Sequence, residues 1–168
     1  MKKLIISLLA LGMGIPIMAQ EVRTEELSEV VVMPANYQYL NATDNRVASI
    51  PVKMLQRKVA SFDAEEAGFY EDDWGIYTVS FYIPDGKIVA MYDKDGKVVK
   101  TIERFSDIAL PPAVRNAIAQ RFPNWQMAGD SFRTNFKDDK GAEKTYKVKI
   151  TNGDKTMRVK LNEAGEFL

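Results

Sequence analysis

The chain has 168 residues, enough for one domain or two small repeats, and its 23 Lys or Arg balance 23 Asp or Glu. That balance supplies no global field to draw in nucleic acid or an anionic membrane. There is no Cys and no His, which excludes disulfides, thiol nucleophiles, zinc–thiolate sites and a lipidated N-terminal cysteine, along with the commonest general base and metal ligand.

Met1 to Ala19 is built like a secretory signal peptide: Lys2 and Lys3 lead an apolar run from Leu4 to Ile15, and Ala19 closes the cleavage side. The run is shorter than the ~20 residues that span a bilayer. The expected product is periplasmic or secreted, with no membrane insertion after cleavage. Residues 20–49 form a leader: Gln20–Glu29 is polar and acidic, Val30–Met33 is a β-branched run stopped by Pro34, and Tyr37–Leu40 reads as strand or irregular cover.

Ile50 to Phe62 changes period, with Leu55, Val59 and Phe62 at helical spacing behind Pro51. An acidic connector follows from Ala64 to Asp73, with Gly68-Phe69-Tyr70 as a short strand inside it. From Tyr77, the residues Tyr77, Val79, Phe81 and Ile83 alternate with Thr78, Ser80 and Tyr82, the period of a strand buried on one face. Pro84-Asp85-Gly86 turns the chain into a second strand, Lys87–Tyr92. Asp93-Lys94-Asp95-Gly96 turns it again into a third, from Val98 to about Phe105. A second helix spans Leu110 to Phe122, with Val114, Ile118 and Phe122 on one face. Trp125–Phe136 reads as a strand and Lys137–Lys144 as a charged loop. Tyr146–Ile150 and Met157–Leu161 then form a hairpin around Asn152-Gly153.

Tyr77 and Tyr146, Val79 and Val148, Phe81 and Ile150, and Gly96 and Gly165 all lie 69 positions apart, while Pro51 and Pro111 lie 60 apart. The pattern predicts an α+β fold of two tandem helix-plus-antiparallel-sheet modules, 50–105 and 106–168, whose sheets can run together. The Leu110-Pro111-Pro112-Ala113-Val114 to Arg121-Phe122-Pro123 helix and the Tyr-x-Val hairpins, with the signal peptide, resemble the PepSY-like, β-lactamase-inhibitor-like proteins secreted by Bacteroidetes-type bacteria. The resemblance covers about Ile50 to Leu168. It implies a tandem helix-and-sheet domain outside the cytoplasm that binds or inhibits another protein, and it offers no catalytic residues to carry over.

Asp93-Lys94-Asp95-Gly96 invites a calcium reading, but placing Gly96 sixth in an EF-hand loop puts Met91 first and Ile102 twelfth, where carboxylates are required. The pairs Glu65-Glu66, Asp72-Asp73 and Asp138-Asp139 sit in charged connectors and read as solvated turns rather than glycosidase acids. No catalytic, metal or cofactor site is assigned. The informative asymmetry lies on the sheet face opposite the core. The second module presents Lys147, Lys149, Thr151, Arg158 and Lys160 there, as an exposed sheet should. The first presents Ile76, Thr78, Ser80, Tyr82, Val89, Met91 and Val99, which is too apolar to be simply solvated. Either the Val30–Leu40 segment or the neighbouring module covers it, or it is a partner face built on Tyr82, Met91, Val89 and Ile76 with Trp74 and Tyr70 at its edge. The resulting expectation is a non-enzymatic extracytoplasmic module that binds a protein or peptide. A carrier or sensor of a small ligand or ion stands second, and a carboxylate-only hydrolase third.

Overall fold

The computed structural model describes residues 36–44, 47–64, 66–68 and 75–168. The Met1–Ala19 stretch read as a signal peptide, the residues from there to 35 with the Val30–Met33 run, residues 45 and 46, Glu65, and 69–74 with Tyr70 and Trp74 lie outside the described residues. Among those described, two helices, α1 (Tyr37–Thr43) and α2 (Ile50–Ala60), precede three strands, β1 (Ile76–Ile83), β2 (Gly86–Asp93) and β3 (Val98–Ser106). A third helix, α3 (Pro112–Arg121), precedes β4 (Gln126–Lys137), β5 (Gly141–Asn152) and β6 (Lys155–Asn162). All six strands belong to one antiparallel sheet in the order β1-β2-β3-β4-β5-β6. The architecture is α+β, three helices with a six-stranded meander.

Strand alternation sets the core face. Tyr77 and Phe81, Ile88 and Tyr92, Phe105, Phe132 and Phe136, Tyr146, Val148 and Ile150, and Leu161 are buried there under Tyr39 of α1, Val52, Leu55 and Val59 of α2, and Val114 and Ile118 of α3. Side-chain pairs weld the layers: Phe62 meets Phe81 edge-on at 5.4 Å, and the Tyr92 hydroxyl donates to Val59 O at 2.8 Å. A bulge between Met91 and Tyr92 shifts the register, so Thr101 and Glu103 face the core and Ile102 faces out.

Two expectations from the sequence need correction. Tyr37–Leu40 is neither strand nor irregular cover but the start of α1. The alternation of two tyrosines imitates period two, yet Tyr37 is exposed and the buried pair is Tyr39 and Thr43, four apart. Thr43 Oγ1 donates to Tyr39 O at 2.9 Å within that turn. The Lys137–Lys144 segment is not a long charged loop either. Strands β4 and β5 flank a three-residue turn closed by Lys140 N donating to Lys137 O at 3.1 Å. Its charges belong to the pleat: Lys137 and Glu143 are exposed, and Lys144 is drawn inward.

Long-range hydrogen bonds position the helices. The buried Asn36 side chain donates to Ala60 O and Gly96 O at 3.0 and 3.1 Å and accepts from Val98 N at 2.8 Å, tying α1 to the end of α2 and the β2–β3 turn. At the other end Gly165, with φ +86°, lets the turn after β6 lie against the first residues of α3.

Candidate functional site

The face away from the helices is uncovered among the described residues. Tyr39 and Leu40 pack into the core on the opposite face, and strands β4–β6 extend the sheet sideways instead of folding over β1–β3. Residues 36–40 of the first proposed cover lie on the core side, its residues 30–35 lie outside the described residues, and β4–β6 continue the same sheet as β1–β3. Ile76 and Tyr82 stand at opposite ends of β1, 63% and 66% exposed. Val89 and Met91 lie beside them on β2, half-buried, with Val89 opposite Ser80 and Ile102, and Met91 opposite Thr78 and Lys100. These four predicted residues share one face. Trp74 and Tyr70 are outside the described residues.

Across the rest of that face the register stacks cations. Lys87 is opposite Arg104, and Arg104 is opposite Arg133, so three strands in succession present a positive charge in one row. Lys100 faces Lys137, Lys147 faces Lys160, and Lys149 faces Arg158. Like charges directly opposite one another destabilise a sheet. None of these side chains is within ion-pair distance of a carboxylate among the described residues, where the salt bridges are Lys97–Asp138 and Lys144–Glu163. Lys87, Arg104, Arg133, Lys147 and Lys160 line an open basin of about 900 Å³ with Tyr82 on its rim and two acids, Asp85 and Glu143, in its walls.

No family model matches the chain, and no curated protein does. Among solved structures it is similar to a DUF2874 family protein from Bacteroides ovatus, at 16% identity and a TM-score of 0.34, over 58% of this chain and 70% of that one. A likeness this distant fixes neither family nor site.

A second polar arrangement lies inside the core, and the sequence reading passed over it. Glu103, Thr134 and Lys144 are opposite one another on β3, β4 and β5, beneath α1 and α2. Oε1 of Glu103 accepts from the Tyr39 hydroxyl at 2.8 Å, and Oε2 accepts from Gln56 Nε2 at 2.9 Å. Burial lifts the Glu103 carboxyl from its ordinary 4.5 to about 7, against the hydrogen bonds from Gln56, Tyr39 and Thr101 and the more distant Lys144. Burial, and then the neighbouring Glu103, raises the Tyr39 hydroxyl. Lys144 reaches the rim, where Nζ donates to Asp44 O at 2.6 Å and to Glu163 at 3.2 Å. The parity of β3 is ambiguous in the sequence: Phe105 sets position 103 inward, whereas Val98 and Ile102 set it outward.

Chemically the interior carboxylate is committed to its donors and has no second carboxylate among its partners. No group of three or more Asp or Glu among the described residues could hold a metal ion. The turn that invited a calcium reading is closed by its own side chain, with Asp93 Oδ1 accepting from Asp95 N and Lys97 N at 3.0 and 2.9 Å. Asp138 is paired with Lys97 at 3.1 Å.

Proposed function

We propose that this chain is a non-enzymatic binding module acting outside the cytoplasm, and that its uncovered sheet face takes an acidic protein or peptide. The observation that carries this reading is the row Lys87–Arg104–Arg133. Three adjacent cations without counter-ions among the described residues are costly in the free protein, and an anionic partner would relieve the cost. The apolar quarter formed by Tyr82, Val89, Met91 and Ile76 would grip side chains flanking the partner's carboxylates. The location outside the cytoplasm rests on the Met1–Ala19 signal-peptide pattern.

The reading includes a duplication. The 69-residue offset carries β1 onto β5 and β2 onto β6, and α2 and α3 each precede three strands. What supports it is the match of the β1–β2 hairpin and its glycine turns to β5–β6, each after a helix; β3 and β4 have no counterparts under that offset. The PepSY-like resemblance belongs to the same proposal.

The test is titration of the chain with a polyglutamate peptide, a peptide alternating Glu with Tyr, and an oligonucleotide of equal charge, at low and physiological salt. The alternating peptide should bind most tightly, and the double variant Arg104→Glu/Arg133→Glu should lose at least tenfold. Preference for the oligonucleotide would replace the protein partner with nucleic acid, and binding indifferent to the double variant would remove the face from consideration.

One observation favours a small-ligand carrier as the second reading. A cleft of about 250 Å³ between α1 and α2 is lined by Leu40, Asn41, Asp44, Lys53, Gln56 and Arg57, and the amide of Gln56 leads from it to Glu103. A thermal shift with small carboxylates or cations that Gln56→Leu abolishes would move the function there.

A further inference from the structure

Among the described residues, the Oγ1 of Thr134 is the one buried side-chain polar atom with no hydrogen-bond partner. Such groups are rare and costly in a folded core. Thr134 stands on β4 directly between Glu103 of β3 and Lys144 of β5, all three in one row across the sheet. On the far side of Glu103 the register places Ile88 of β2. Tyr39 from α1 and Gln56 from α2 each hold one oxygen of the carboxyl. Burial raises the hydroxyls of Tyr39 and of Tyr92 nearby, so both stay uncharged through neutral pH. Lys53 and Arg57 of α2 lie along the cleft between the helices. The cation in the row with Glu103 is Lys144.

We propose that Glu103 and Lys144 form a two-state latch on α1, with Thr134 as the station between them. While Glu103 is uncharged, Lys144 points outward and clamps the end of α1 through Asp44 O, as in this structure. When Glu103 ionises, Lys144 turns inward over Thr134, pairs with the carboxylate and lets the end of α1 go. The Thr134 hydroxyl then accepts from the ammonium and is satisfied.

Reach and energy both permit the exchange. Two strand spacings, about 10 Å, separate Glu103 from Lys144, and the four-carbon stem of the lysine covers most of that distance. The stem is already inside, the Lys144 side chain being 9% exposed. Its head gives up little, since Glu163 is half exposed and such pairs contribute weakly, while Asp44 O lies at the surface, where water can replace the lysine. An ionised carboxylate left among neutral donors in the core is the costlier state. Burial lifts the Glu103 carboxyl to about 7, which places the exchange near neutral pH. Both tethers end on the cleft between α1 and α2, because Gln56 and Asp44 are part of its lining. The latch therefore sets how far that cleft opens.

Nuclear magnetic resonance on the chain as its host processes it, between pH 5 and pH 9, tests the latch. As the Glu103 carboxyl carbon titrates, the ε-protons of Lys144 should come into contact with the Thr134 methyl group, on the alkaline side only. Over the same range the amides of Ala42 and Thr43 should lose at least tenfold in exchange protection relative to those of Phe132 and Phe136. Glu103→Gln should keep Lys144 outward and α1 protected throughout. Lys144→Met keeps the stem without the charge and should raise the Glu103 midpoint by at least one pH unit, tenfold in its acid constant. A Lys144 that stays at Asp44 while Glu103 titrates would overturn the proposal. So would a midpoint indifferent to Lys144→Met, or a loss of protection shared equally by α1 and β4. Should Lys144→Met not fold, the proton contacts in the unsubstituted chain decide the matter.

Discussion

The Tyr39 hydroxyl donates to Oε1 of Glu103 at 2.8 Å, joining a seven-residue helix to the centre of the sheet through a fully buried acid. A helix that short is not stable alone, so α1 depends on contacts such as this one and the edge-on packing of Tyr39 on Phe136 at 5.4 Å. The hydrogen-bonded carboxylate positions the helix, and the cost is a charge held where solvent cannot reach it.

That cost has a pH signature. The folded carboxyl titrates at about 7 against an ordinary 4.5, so the native state holds the proton more tightly than the unfolded chain. The contribution to stability is full below 4.5, is lost as pH rises to about 7, and amounts to roughly 3 kcal/mol across that window. Glu103→Gln should flatten this decline and make the protein more stable than wild type at pH 8. Denaturant titrations at pH 4.5, 6 and 8 provide the check. Asp130, raised by burial, contributes with the same sign in both proteins and cancels in the comparison. Equal slopes in the two proteins would mean that Glu103 is not the group titrating.

Binding and stability should oppose each other on the outer face. Arg104 stands between Lys87 and Arg133, and Arg104→Glu turns two repulsive pairs into attractive ones. At about 0.2–1 kcal/mol per cross-strand pair, the variant should melt higher than wild type at low salt and lose that advantage in 1 M salt. The same variant should bind an acidic peptide more weakly. A variant that is destabilised at low salt would show that the row is not strained.

The sequence made the strands legible because apolar residues keep strict parity through Tyr77–Ile83 and Tyr146–Ile150, and glycines mark the turns. It did not reveal the basic basin, because a balanced total hides segregation: the pleat sends Lys87, Arg104, Arg133 and Lys147 to one side, while many of the acids lie in the leader and the Glu65–Asp73 connector. Of the four predicted face residues that are described, only Tyr82 reaches the basin. Val98–Ser106 misleads for a local reason. The bulge opposite Val99 turns Glu103 inward and Ile102 outward, the reverse of what hydropathy assigns.

Asn36→Ala should be among the most damaging polar substitutions. It leaves Val98 N without its acceptor, and Ala60 O and Gly96 O without their donors. Buried groups left in this state cost about 2–4 kcal/mol together. Asn36→Asp separates the two halves of the interaction, keeping the acceptor for Val98 N while setting a carboxylate against two carbonyl oxygens. Its loss of stability should therefore be greater at neutral than at acid pH. Chemical denaturation of both variants at pH 4 and 7 tests this, and equal losses at the two pH values would show that the side chain is solvated.

Two glycines with positive φ separate backbone strain from packing. At Gly153, φ +57°, a Cβ would meet nothing within 4 Å, so Gly153→Ala should cost only the left-handed conformation, about 1 kcal/mol. At Gly165, φ +86°, a Cβ would lie 2.7 Å from Ala113 O, backbone that can yield only if α3 moves off the sheet. Gly165→Ala should therefore cost about 2–3 kcal/mol more than Gly153→Ala. Hydrogen exchange should locate the excess, with amides of α3 losing protection in Gly165→Ala and keeping it in Gly153→Ala. Equal melting temperatures for the two variants would mean that the turn after β6 does not hold α3 in place.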